Sequence, residues 1–283
     1  MTTTPEGRAM TDVLVCLKRV PDSSGEALLT DDAQSIDGRY VGFTISNHEN
    51  CAVELAVQIA TATGGQATAL TLGAPEAAEQ LRNALAVGCT GATHIEADPT
   101  GYGPADVARE IAAVVRDHEA AGRRHDLVLL GNDAADSGDF QVGIRLAYEL
   151  GRPVVNGIAT VSVEGEVATA HGDGPDGHET FRLPLPAVAT VMEGGVEPRY
   201  PTVPGRMKAK KVEIETRAPI GDPEGPRRVR LTLPPAVPST VQILGEAPRP
   251  RPPSSTSSSS WEWWRDDRRP RRDRRRRRRR GVP

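Results

Sequence analysis

Cysteine, aromatic residues and long apolar runs are all scarce in this chain. The three cysteines, Cys16, Cys51 and Cys89, are odd in number, widely separated and never in a CxxC spacing. That pattern argues against a disulfide framework and a zinc site, and leads us to expect reduced thiols and no metal. No apolar stretch approaches the roughly 18 to 20 residues that a bilayer-spanning helix requires. Residues 1–12 lack the charged-then-apolar order of a secretory signal. A cytoplasmic protein without membrane insertion is the expectation. HExxH and GxSxG patterns are missing as well. His48, His94, His118, His125, His171 and His178 are therefore expected on the surface or at caps, and no catalytic residue is assigned.

A net charge of −3 over 283 residues conceals a split. Residues 248–283 hold 14 Arg against 4 acidic residues, a net +10, while the other 247 hold 21 Lys and Arg against 34 Asp and Glu, a net −13. All three Trp, Trp261, Trp263 and Trp264, lie in the basic part, leaving four Tyr and three Phe for the acidic part. The core must then be aliphatic. The tail, rich in Arg, Pro and Ser, buries too little apolar surface to offset the entropy of ordering and is expected to be disordered. An acidic body repels nucleic acid, so no nucleic-acid partner is expected.

Hydrophobic periodicity supplies the architecture. Residues 12–18 form a continuous apolar run of the kind buried on both faces of a sheet. Residues 50–63 carry Ala52, Val53, Leu55, Ala56, Ile59 and Ala60 on one helical face, and Gly64 and Gly65 stop the helix. The same grammar continues with strands at 67–72, 94–97 and 126–130 and helices at 76–87, 104–119 and 141–150. Strands alternating with helices predict an α/β fold, a doubly wound and mainly parallel sheet. Past Gly151 the pattern turns to β: a hairpin about Glu164 and Gly165, an extended piece at 179–185, and a last core strand at 186–191. Gly194 and Gly195 argue against a helix near Glu193. Residues 198–204 read as a proline-bounded loop, and 207–212 as a basic segment that starts a helix or a strand. The expected divisions are an α/β domain at 12–215, an extended arm at 216–247 with β-like runs at 228–233 and 240–244, and the tail at 248–283.

Ligands of open parallel sheets bind beyond the carboxyl ends of the strands. The loop after the clearest strand, Gly131, Asn132, Asp133, Ala134, Ala135, Asp136, Ser137, Gly138, Asp139, Phe140 and Gln141, has glycines that let backbone approach a phosphate, followed by a helix N-terminus with orphan amides. Neither a Walker lysine nor a dinucleotide fingerprint occurs in this loop, and three Asp oppose a phosphate, so nucleotide binding and a plain solvated loop both stand. Cys16, inside the first strand, reads as a small core residue. The stretch Glu197, Pro198, Arg199, Tyr200, then Val203, Pro204, Met207, Lys208 and Lys211, is a proline-stiffened loop with an apolar tip. It suits either docking to a partner or a rigid connection beside a basic patch.

These pieces together resemble the beta subunit of electron transfer flavoproteins, including the nitrogen-fixation-associated branch. The similar runs, in order, are residues 13–22, 52–56, 81–88, 126–131, Ala135 and Asp136 with 141–143, 183–188, and 197–200 through 208–211. The resemblance implies an adenine nucleotide α-hydrolase-like domain paired with an alpha subunit. It also implies an FAD shared with that subunit and either AMP or a second FAD on the beta chain. It places the nucleotide against Cys16, Ser46, Asn47, His48, Glu49, Leu72 and the loop from Gly131 to Val142. It makes residues 193–211 a docking loop for flavin-dependent dehydrogenases, with Val203 as apolar anchor and Lys208 and Lys211 as modulating positions, and sends the arm onto the alpha subunit. Many members have Asn-Pro-Phe-Asp/Cys-Glu where residues 46–50 read Ser-Asn-His-Glu-Asn. The usual Gly-Lys-Gln-Ala is Gly131, Asn132, Asp133, Ala134 here, one cation fewer and one acid more beside the phosphates.

On this resemblance the chain is an electron-carrier subunit that passes electrons from dehydrogenases to an acceptor oxidoreductase. The alternatives are an ATP-using enzyme of the same fold type, which would show Ser-Gly-Gly-x-Asp-Ser after the first strand where residues 18–23 read Lys-Arg-Val-Pro-Asp-Ser, and a self-dimerising stress-type nucleotide-binding protein.

Overall fold

All five residues of β1 (Val13–Leu17) are buried, and their side chains divide between two cores because successive residues of a strand point to opposite faces. Val13, Val15 and Leu17 join one apolar cluster, Leu14 and Cys16 the other. This computed structural model describes residues 10–22, 28–226 and 229–235. The elements following β1 are a small antiparallel pair, β2 (Val20–Pro21) and β3 (Phe43–Thr44), then α1 (Asn47–Thr63), β4 (Ala67–Gly73), α2 (Ala78–Val87), β5 (Gly91–Glu96), α3 (Pro104–Ala120), β6 (Leu127–Gly131) and α4 (Val142–Leu150). Next come β7 (Val154–Glu164), β8 (Val167–Gly174), β9 (Gly177–Pro184), β10 (Ala187–Val191), α5 (Val203–Ala209) and β11 (Ile214–Arg217).

One nine-stranded sheet runs in the order β11-β5-β4-β1-β6-β10-β7-β8-β9. It is parallel from β11 to β7, while β8 and β9 add antiparallel strands through the hairpin about Gly165. Helices α1, α2 and α5 pack against one face, α3 and α4 against the other, as expected for a doubly wound α/β fold. The core is aliphatic: Leu14, Leu70, Leu81, Ile95, Leu127, Leu129, Leu146 and Ile158 are the bulkiest apolar side chains wholly shielded from solvent among the described residues. Among the described residues no helix is long and apolar enough to cross a membrane.

Several boundaries differ from expectation. Helix α1 starts three residues early, at Asn47, because Ser46 and Glu49 form a reciprocal capping box, and it ends at Gly64 with φ 75°. Strand β5 begins at Gly91 rather than His94. The expected proline loop is cut short by α5, since Pro204 falls in the first turn, where its missing N–H costs nothing and Thr202 caps Gly205. Strand β11 is an element that the pattern did not announce: it pairs with β5 as an edge strand and carries the sheet past residue 215.

Three of the six histidines depart from the expected surface placement, while His171 and His178 are exposed. His94, His118 and His125 are buried, not superficial. His118 Nδ1 and His125 Nε2 lie 2.8 Å apart at the amino-terminal edge of the sheet, with Glu215 of β11 at 3.3 Å from His118 Nε2.

Chain following β11 crosses α3. Ile220 N–H donates to Glu110 at 2.8 Å, and the buried Asp106 carboxylate accepts from the amides of Glu224 and Gly225. Residues 229–233 contain no strand, whereas 240–244 and the tail at 248–283 lie outside the described residues.

Candidate functional site

The strand order reverses direction between β1 and β6, so the carboxyl ends of these strands flank the crevice where a doubly wound sheet takes its ligand. The first turn of α1 closes one side of it. Buried Glu49 accepts from Lys18 N–H at 2.7 Å and from Ser46 N–H at 2.9 Å. Burial nevertheless pushes its carboxyl up to about 7 against those bonds. Gly131, the last residue of β6, has no room for a side chain: an added Cβ would stand 2.7 Å from Glu49 Cγ and 3.2 Å from its amide nitrogen. Cys16 and Leu72 are buried at the ends of β1 and β4, and desolvation, with Glu49 nearby, raises the Cys16 thiol far above its ordinary range.

Beyond Gly131 the loop is tied down at its start. Thr190 Oγ1 donates to Asn132 Oδ1 at 2.6 Å, Asn132 Nδ2 reaches Met192 Sδ at 3.3 Å, and Asn132 N–H donates to Val191 O. Asp133 accepts on its carbonyl from Ser46 Oγ at 3.4 Å. Ala134 O accepts from the amides of Ser137 and Gly138, a tight turn completed by Gly138 at φ 63° and Phe140 at φ 53°. For Phe140 that left-handed backbone is strained, and its ring is half exposed. Ala135, Asp139 and Gln141 are exposed. The Gln141 side chain is engaged, accepting from Arg145 at 2.9 and 3.1 Å, so no side chain caps α4 from Val142 onward. Gly143 lets that end approach β10, where an added Cβ would sit 2.3 Å from Thr190 Cγ2.

The fold thus brings every candidate nucleotide residue to one end of β1, β4 and β6. A cleft of about 430 Å³ opens there, lined by Val20, Thr44, Ser46, Asn47, His48, Asp133 and Ala135. Two of its polar atoms, His48 Nδ1 and Asp133 Oδ1, are buried without a hydrogen-bond partner. Sequence reasoning missed Lys18. Its Nζ donates to Asp136 Oδ1 at 2.6 Å and to Ser137 Oγ at 3.3 Å. The strand-end rule that singled out the loop applied equally to this first residue past β1.

A second cleft of about 590 Å³ separates α1 and α2 from residues 193–201. Arg199 spans it: its guanidinium donates to both oxygens of buried Glu54 at 2.6 Å, and its amide adds a bond at 3.2 Å. These bonds hold the Glu54 carboxyl below its usual range. Gly195 allows the loop to touch β7, with an added Cβ only 2.0 Å from Ala159 O. Outward from this clamp, Tyr200, Val203 and Met207 are 88%, 73% and 63% exposed. Glu197, Pro204, Lys208 and Lys211 are exposed beside them, and Pro198 is half-buried. Among the described residues no group of three or more His, Cys, Asp or Glu could hold a metal ion.

Residues 36–220 match the electron transfer flavoprotein domain family. The chain is 34% identical to the electron transfer flavoprotein subunit beta of Bacillus subtilis (strain 168) over 206 residues, 72% of this chain and 77% of that protein. It is 35% identical to the subunit beta of Mycobacterium leprae over 221 residues, 75% of this chain and 81% of the other. With the human subunit beta it shares 34% identity over 211 residues, 73% of this chain and 81% of the other.

Proposed function

Since the chain belongs to the electron transfer flavoprotein domain family and is a beta subunit of such a flavoprotein, we propose that it works by positioning, with no catalytic residue of its own. Beta subunits of this kind are electron carriers, and the designation implies a heterodimer with an alpha subunit. In our reading this chain completes an FAD site with the alpha subunit and separately holds an adenine nucleotide. The nucleotide is AMP, or a second FAD if the heterodimer bifurcates electrons. When bound, the flavin supplies the redox chemistry.

What carries the nucleotide reading is the convergence of the Gly131 loop and the capped start of α1 on the β1/β6 reversal. The residues fit such a group. His48 Nδ1 and Asp133 Oδ1 are buried polar atoms still without a partner on one cleft. The uncapped first turn of α4 presents amides suited to an anion, and Phe140 offers a flat apolar face to a purine. Asn132 and Thr190 keep the loop's origin fixed, so little ordering entropy is left to lose on binding.

Residues Glu197, Pro198, Arg199, Tyr200, Val203, Pro204, Met207, Lys208 and Lys211 are, in this reading, the surface met by flavin-dependent dehydrogenases and by an acceptor oxidoreductase. An exposed apolar ridge ringed by cations, on a loop clamped to α1, supports it. Three buried free thiols fit a reducing compartment, the cytoplasm. An ATP-using enzyme finds no support in the family match, and no ATP turnover by the isolated chain is expected. The test is to release and count the nucleotides of the purified heterodimer. AMP beside FAD, or FAD in twice the heterodimer amount, is expected; FAD alone at one per heterodimer removes the nucleotide part.

A further inference from the structure

Three carboxylates, Asp133, Asp136 and Asp139, stand in the loop that leads into α4, where an arriving phosphate meets like charge. An ammonium reaches the same loop from the other side of the strand reversal. Lys18 Nζ donates to Asp136 Oδ1 at 2.6 Å and to Ser137 Oγ at 3.3 Å. The backbone beneath it is fixed, since Lys18 N–H is held by buried Glu49 at 2.7 Å and Cys16 pairs in register with Leu130. The side chain is not fixed to the same degree. It is 38% exposed, and an ion pair so open to water holds weakly.

The geometry points to an exchange clasp: Lys18 bridges to Asp136 when no anion is present and transfers its ammonium to the phosphate of an adenine nucleotide when one binds, with Asp136 as the competitor that the phosphate displaces. The clasp rests on the nucleotide reading above and goes beyond it by naming the cation and its rival. A phosphate offers several acceptor oxygens to the ammonium, and the Ser137 hydroxyl, whose oxygen accepts from Lys18, can turn its own hydrogen to the anion, so the single bond to Asp136 is exchanged for more than one. It also explains how a loop with three acids accommodates an anion without a lysine of its own. The cation comes from β1, on the opposite side of the crevice.

Equilibrium dialysis of the nucleotide-stripped heterodimer, with AMP and with adenosine as separate probes, tests this. Lys18→Gln is expected to weaken AMP about tenfold or more while leaving adenosine within about twofold, because only the phosphate contact is lost. Asp136→Asn is expected to tighten AMP several-fold, and Lys18→Arg to retain most of the wild-type affinity. An unchanged thermal melt of each variant shows that its fold is intact. Equal weakening of AMP and adenosine in Lys18→Gln, or weaker AMP binding in Asp136→Asn, overturns the clasp. Wild-type AMP binding that is indifferent to Lys18→Gln sinks the clasp alone. A wild-type heterodimer that takes up neither probe overturns the nucleotide reading and the clasp with it.

Discussion

Glu49 lies inside the first turn of α1 and accepts from two backbone amides, yet its carboxyl is pushed up to about 7 because lost hydration outweighs those bonds. A carboxyl of the unfolded chain ionises near its ordinary 4.5. This group's contribution to stability is therefore complete below that pH and drains as pH rises toward 7. The buried imidazoles act in the opposite direction. Burial first, then His118 and the nearby Arg152 and Arg123, hold His125 down to about 3, and burial with Arg123 also lowers His118. Unfolded imidazoles take up protons near 6.5, so stability is lost as pH falls from there toward 3. Urea denaturation across this range should flatten on the neutral side in Glu49→Gln and on the acid side in His125→Asn. Limbs that survive both substitutions would assign the pH response to other groups. At Arg199 the expectation is different. Arg199→Ala leaves the Glu54 carboxylate buried with only Gln58 beside it, which should cost about 1–3 kcal/mol. A raised KM for a partner dehydrogenase with unchanged flavin content would show that the clamp serves the proposed docking surface. The motif made Arg199 visible, but its partner is 145 positions away, beyond anything spacing conveys.

Among the elements, β1, β6 and the helices between them were legible because their causes are local: unbroken apolar runs, a stop at Gly64 and Gly88, and Pro104 in a first turn. The start of α1 was misjudged because its capping box lies upstream of the first apolar residue. Strand β11 stayed hidden because its four residues hold a single apolar side chain, Ile214. What makes them a strand is the open edge of β5. The contact between β6 and α1 is a close junction of elements at the site. Gly131→Ala would drive a methyl group against Glu49 Cγ and its amide, so we expect a loss of about 1–3 kcal/mol in a melt. Release of the proposed nucleotide should accompany it. A variant that melts normally and keeps its nucleotide would show that the helix can withdraw without disturbing the crevice.

For the whole molecule, the split between a −13 body and a +10 tail acquires a boundary. The family match ends at residue 220, and the unit containing the sheet ends at Leu233. A truncation after Ala247 is expected to pair with the alpha subunit and to carry the same flavin and nucleotide as the full chain. Gel filtration with flavin absorbance checks this, and loss of the heterodimer would give the tail a role in assembly. The sequence by itself determined the fold class, the aliphatic core, the loop after β6 and the family, because burial periodicity, caps and short motifs are properties of neighbouring residues. Only the tertiary structure decided who holds whom: Lys18 with Asp136, Glu54 with Arg199, His118 with Glu215, pairs 97 to 145 positions apart. The physical reason is strand order. Each strand's pattern records which residues are buried, but its neighbours are set by how the connections pack, and it is the neighbours that bring those charges within reach.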